Sequence, residues 1–186
     1  MGTEGLGASP RWSRANCLTI QTQIMDNPDE LAAHLASLRG VIVLDGCLKA
    51  GKSTLAHDLA ERLCCEAIDL DDFLEKKRGS YVASIRVDEA LAHINSKLGQ
   101  ASQVIVACVC ARAVFDRLGD PGTTFVYVQR VSSSRSPNDP DMLTAEEEGG
   151  PLDRPYFANL DRELAAYHAR HRPVETAAIL YRRTVL

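Results

Sequence analysis

Two groups of residues in this 186-residue chain have types and spacing suited to phosphate chemistry. The first is Gly46-Cys47-Leu48-Lys49-Ala50-Gly51-Lys52-Ser53-Thr54, which fits G-x-x-x-x-G-K-[ST]. In such a loop the backbone amides wrap a phosphate, and the positive end of the following helix faces the anion. Lys52 is expected to reach the outer phosphates, and the Ser53 hydroxyl to ligate Mg2+. All nine residues are therefore assigned to nucleotide binding, with Lys52 also acting in transfer. The second group is Asp69, Asp71 and Asp72. An acceptor hydroxyl attacking a terminal phosphate needs a carboxylate to orient it and receive its proton. On a strand end, alternation puts Asp69 and Asp71 on one side and Asp72 on the other. Asp71 is assigned as the acceptor-orienting base and Asp69 as support for Mg2+ through water. The alternative is a solvated acidic turn that caps the next helix.

Charge on a transferred phosphoryl group calls for arginines that can close over it. Arg130, Arg135 and Arg154 lie in or beside a Ser-, Pro- and acid-rich stretch at 130–155, and Arg112 and Arg117 follow a predicted strand. Arg135, in the most Ser-rich setting, is the preferred lid residue and the third catalytic candidate; a solvated surface charge is the alternative for each. Lys76, Lys77 and Arg78 could meet an anionic acceptor or form a solvated turn. Tyr81 could stack on an acceptor ring or pack in the core. Cys47 is either a thiol activated by the helix N-terminus or a passive loop residue.

These groups need elements to hold them. Val41 to Leu44 is a continuous apolar run, as in a strand buried on both faces of a parallel sheet. Leu55, Leu59 and Leu63 give the next segment a helical apolar face. Ala67 to Leu70 is read as a second strand carrying the acids at its C-terminal end, where open α/β sheets bind ligands. Further strands are predicted at Val104 to Val109, Thr123 to Gln129 and Ala177 to Tyr181, with a possible short edge strand in Cys17 to Ile24. Helices are predicted from Pro28, capped by Asn27, from Asp88 to Leu98, from Ala111 to Leu118, and from about Tyr156 until Pro173 breaks it. The fold class is α/β, a three-layer doubly wound and mainly parallel five-stranded sheet of P-loop NTPase type. Residues 1–16 are expected to be a flexible extension, and 17–186 one domain with a lid-like loop at about 130–155.

A net charge of −4 argues against a protein held to nucleic acid by a positive surface field. No apolar run approaches the roughly 20 residues that span a bilayer, and no secretory pattern opens the chain. The expectation is a cytoplasmic monomer or homodimer that takes a small-molecule acceptor, with no nucleic acid polymer or membrane as partner. The six cysteines include the pairs Cys64-Cys65 and Cys108-x-Cys110, neither with the C-x2-C spacing common in zinc sites.

The phosphate loop followed by Asp71-Asp72-Phe73 resembles the uridine kinase and nicotinamide riboside kinase group of P-loop kinases, and more broadly the nucleoside and nucleotide kinase-like NTPases. The stretch from Phe73 to Val82 and the segment Tyr167-His168-Ala169-Arg170-His171-Arg172-Pro173 are similar to elements of the same proteins. The resemblance, spanning about residues 41–183, implies ATP and Mg2+ as cofactors and places the base on Asp71. It implies transfer of the γ-phosphate of ATP to a hydroxyl of a nucleoside-like small molecule. One departure stands out: where related kinases carry an acid followed by glycine at the end of the third strand, this chain has Ala107 and Cys108. Asp69 or Asp45 would then have to supply part of the metal site. Two other readings remain, a nucleotide monophosphate kinase and a non-catalytic ATP-binding regulator with a degraded Mg2+ site.

Overall fold

The computed structural model describes residues 22–75, 79–119, 122–131 and 159–184. Six strands, β1 (Gln23–Met25), β2 (Gly40–Asp45), β3 (Glu66–Asp69), β4 (Gln103–Ala107), β5 (Thr124–Val131) and β6 (Ile179–Thr184), form one sheet in the order β1-β6-β5-β2-β4-β3. Every pairing is parallel. The helices among the described residues are α1 (Pro28–Leu35), α2 (Lys52–Leu63), α3 (Tyr81–Ser84), α4 (Val87–Leu98), α5 (Ala111–Leu118), α6 (Asn159–His171) and α7 (Pro173–Thr176).

The continuous apolar run of β2 is explained by its place in the middle of this sheet. Val41 and Val43 face a core shared with Ile94 of α4, Val114 of α5 and Leu164 of α6. Ile42 and Leu44 face the opposite core, with Leu31 and Leu35 of α1 and Leu55 and Leu59 of α2. Strand periodicity sends alternate side chains to two apolar layers, so no position on the strand is free to be polar until Asp45. The doubly wound α/β class thus holds, with a correction to the strand count. The sixth strand is the short β1, which pairs with β6 at the sheet edge. The sequence stretch expected to supply it, Cys17 to Ile24, lies largely outside the described residues.

Other boundaries shift for local reasons. The second predicted strand stops at Asp69 because the Asp69 carboxylate accepts the Asp71 N–H at 3.0 Å and turns Leu70–Phe73 into a 3-10 helix. Pro173 follows α6 as predicted, but it also opens α7, where its fixed φ and missing N–H suit a first helical position. Asn27 caps α1 as expected, its side chain accepting from the Asp29 and Glu30 amides. Among the described residues, no helix is long and apolar enough to cross a membrane.

Candidate nucleotide and acceptor site

The loop between β2 and α2 departs from ordinary backbone at Gly46 (φ 147°), Lys49 (φ 60°) and Gly51 (φ 89°). The Gly46 Cα lies so close to β5 that a Cβ there would sit 2.4 Å from the Val128 carbonyl oxygen. At Gly51 the space beside Cα holds the Arg183 guanidinium, whose Nη1 donates to the Ala50 carbonyl at 3.4 Å. Both glycines of the motif are therefore required by close approaches as well as by φ. Helix α2 begins with no side-chain cap and no acid in its first turn. Its leading N–H groups and positive dipole end are left for an anion.

Lys52 is buried, and its Nζ donates to the Gly46 and Cys47 carbonyls at 2.9 and 2.8 Å. Burial pushes its pKa below the usual lysine value, while Asp45, Cys108, Cys47 and Asp71 pull it back up. The ammonium makes no direct ion pair with a carboxylate among the described residues. Asp45 beneath it is occupied: its carboxylate accepts from the Gly46 N–H at 2.8 Å, from the Ala111 N–H at 3.4 Å and from the Tyr167 hydroxyl. Burial raises the Asp45 pKa against the opposing pull of those hydrogen bonds. A desolvated cation that bonds only to carbonyls is well matched to an incoming phosphate.

A cavity of about 180 Å³ opens beside the loop, walled by Leu48, Lys49, Gly51 to Thr54, Asp69, Asp71 and Ala107 to Val109. Across it the Ser53 Oγ donates to Asp69 Oδ2 at 2.5 Å. The 3-10 helix carries Asp71 into the same cavity, with Oδ1 accepting from the Tyr81 hydroxyl at 2.8 Å. Asp72 does not line it; its carbonyl accepts from Arg86 Nη2 at 2.9 Å. The separation of Asp69 and Asp71 from Asp72 expected from strand alternation is thus produced by a turn instead. At the end of β4 stand Ala107 and Cys108, and neither place holds a carboxylate. The Cys108 thiol donates to the Val109 carbonyl at 3.0 Å, and burial pushes its pKa well above the usual range.

The structure distributes the remaining candidates as follows. Leu48, Lys49, Ser53 and Thr54 are exposed, whereas Ala50 and Cys47 are buried. Cys47 points away from the cavity, its Sγ 3.6 Å from the Tyr127 hydroxyl and 3.7 Å from His168 Nε2. Arg112 donates through Nη2 to the Thr176 carbonyl and lies over the Phe125 ring, and Arg117 donates to the Val82 carbonyl. Neither is directed at the phosphate loop. Arg135, Arg154 and Lys76 to Arg78 lie outside the described residues. Three residues of the site carried no such role in the sequence reading: Tyr81 as a donor to Asp71, Tyr167 as a donor to Asp45, and Glu163. The tyrosines stood out by type, but Glu163 had no local signal.

The structure superposes on one titled a possible uridine kinase, from Bacillus stearothermophilus, over 83% of this chain and 96% of the other, with a TM-score of 0.52 at 15% identity. The two share the doubly wound α/β fold of P-loop NTPases. A family model described as shikimate kinase matches residues 49–93, from the phosphate loop through the 3-10 helix into α4. A shikimate kinase from Acinetobacter baumannii in complex with shikimate also matches, over 80% of this chain and 86% of its own, at 20% identity and a TM-score of 0.42. No curated protein sequence matches significantly. The partial family match and the shared fold agree with the resemblance to P-loop kinases.

Proposed function

We propose that the chain is an ATP-dependent phosphotransferase that moves the γ-phosphate of ATP to a hydroxyl of a small molecule. The observation that carries the reading is the Ser53–Asp69 hydrogen bond, with Asp71 on the same cavity as Lys52 and the open end of α2. This arrangement gathers a phosphate cradle, a hydroxyl–carboxylate pair and a second carboxylate within one cleft.

The fit to the implied groups rests on the donor set. The loop amides, Lys52 and the first turn of α2 are anion donors, and the Ser53 and Asp69 oxygens suit a hard cation such as Mg2+. When bound, the ion supplies neutralisation of charge on the transferring group. Asp69, already on Ser53, makes up for the acid absent at Ala107 and Cys108, which favours an active kinase over a binder that has lost turnover. Asp71 accepts the acceptor's hydroxyl proton and aligns its oxygen with the γ-phosphate, while Lys52 offsets charge on the outer phosphates. Arg135 is retained as the lid arginine on its sequence setting.

The acceptor class is an alcohol. The resemblance favours a nucleoside-like molecule, and the family match over residues 49–93 adds hydroxylated ring acids such as shikimate. The test is ATP turnover with Mg2+ against a panel of nucleosides, nucleoside monophosphates and hydroxy acids, repeated with Asp71→Asn. Transfer to one class, lost by at least about 100-fold in the variant with ATP affinity kept within a few-fold, is expected. ATP binding without transfer to any acceptor would favour the regulator, and monophosphates as sole acceptors the nucleotide monophosphate kinase.

A further inference from the structure

The stretch after the 3-10 helix is pinned at several points that have no evident purpose for the phosphate loop. Leu74 and Ile85 form an antiparallel bridge, and the Glu75 amide donates to the Ser84 carbonyl at 2.7 Å. Between them, the N-terminus of α3 is closed by one carboxylate from a distant helix. Glu163 of α6 accepts from the Tyr81 amide at 2.6 Å, the Val82 amide at 2.9 Å and the Ser80 hydroxyl at 2.7 Å. Three donors converging on one anion fix the backbone of Tyr81 tightly, since charged acceptors make the stronger hydrogen bonds.

The Tyr81 side chain turns this anchoring toward the cavity. Its ring is buried at 8% exposure, and its hydroxyl donates to Asp71 Oδ1 at 2.8 Å. The other neighbour of the hydroxyl is the Cys108 sulfur at 3.8 Å, a weak partner. The phenol is held protonated, its pKa raised far above the tyrosine norm first by burial and then by Cys108 and Asp71. A buried hydroxyl that cannot ionise has one role open to it here, as a permanent donor to the carboxylate. With Oδ1 engaged by Tyr81, Oδ2 is the oxygen left for an acceptor.

We infer that Tyr81 is a positioning residue for phosphoryl transfer: anchored by Glu163 of α6, it holds Asp71 in one rotamer and presents a single carboxylate oxygen to the acceptor. The inference rests on the kinase reading above and extends it to a residue pair outside the phosphate loop and the acidic motif. A carboxylate that must lie within hydrogen-bond reach of a hydroxyl aligned for in-line attack is sensitive to small displacements, so its hold should be read in the chemical step.

The test compares wild type, Tyr81→Phe and Glu163→Gln in steady-state kinetics with the acceptor found by the panel, together with crystal structures of the nucleotide-free wild type and Tyr81→Phe. Tyr81→Phe keeps the ring and removes only the donor. Its kcat is expected to fall about 10- to 100-fold, with the KM for ATP and for the acceptor each within about threefold, and Asp71 is expected to leave its single rotamer. Glu163→Gln should show the same split to a smaller degree, because its amide oxygen still accepts. A Tyr81→Phe enzyme with wild-type kcat, or Asp71 unmoved in its crystal structure, overturns the inference while leaving the kinase reading intact. A wild type that phosphorylates nothing overturns the kinase reading, and the crystal comparison then still decides whether Tyr81 holds Asp71.

Discussion

His168 should make the fold lose stability on mild acidification, and the size of the loss follows from its surroundings. The ring is 4% exposed, edge-on to Tyr127 and Tyr167, with Nε2 near Cys47 of the phosphate loop and Nδ1 without a hydrogen-bond partner among the described residues. Burial lowers its pKa from 6.5 to about 4. Between those values the unfolded chain binds the proton and the folded chain does not, so stability falls as pH falls through this window, by up to ~1.4 kcal/mol per pH unit. Integrated from pH 7 to pH 5, the two pKa values give a loss of about 2 kcal/mol from this one ring. His171, also lowered by burial, acts in the same direction. Asp45, raised by burial, acts oppositely, its penalty being relieved on acidification. The assay is urea unfolding of wild type and His168→Leu at half-unit steps from pH 7.5 to 5. Both proteins carry His171 and Asp45, so the difference between their curves isolates His168. The variant should start less stable or equal at pH 7 and lose about 2 kcal/mol less by pH 5. Parallel curves would refute the argument, because they would mean the imidazole takes its proton as readily folded as unfolded.

Two further outcomes concern the loop and the proposed metal site. Asp69→Asn should raise the Mg2+ concentration needed for half-maximal turnover by about 10-fold or more while leaving ATP affinity at saturating Mg2+ nearly unchanged; an unaltered Mg2+ titration would remove Asp69 from the metal site. Gly46→Ala drives a methyl against the Val128 carbonyl in a backbone conformation L-residues avoid, and should cost roughly 2–4 kcal/mol, seen as a fall of at least about 5 °C in Tm by calorimetry. A drop under about 2 °C would show that β5 yields there.

What was legible in the sequence is what is encoded locally. The glycine spacing, the apolar run of β2 and the four-residue leucine repeat of α2 each report a conformation set by near neighbours. Asp69 and Asp71 could be placed at the end of a strand, but the turn that carries Asp71 into the cavity depends on one side chain bonding two residues ahead. The strand β1 is only three residues long and pairs with the edge of β6, so the short alternation in Cys17 to Ile24 could mark an edge strand but not where it begins and ends. The contacts that shape the acidic side of the cleft join Glu163 to Ser80, Tyr81 and Val82, and Tyr167 to Asp45. Such pairs are created by topology, and nothing near either partner in the chain marks it. Arg112 and Arg117 illustrate the converse: their types suggested chemistry, and their positions gave them carbonyls to satisfy.

The central place of β2 also bears on how the chain folds. Ile42 pairs with Thr124, Val41 with Val104 and, at the sheet edge, Gln23 with Ile179. The strand that launches the phosphate loop therefore gains both neighbours only after long loops have closed, an ordering that costs entropy before any pairing repays it. Gly46 rests on the Val128 carbonyl, so the loop has no floor until β5 has docked. A newly made chain in which α2 has already formed would still lack the cradle proposed for a phosphate until β5 takes its place beside β2.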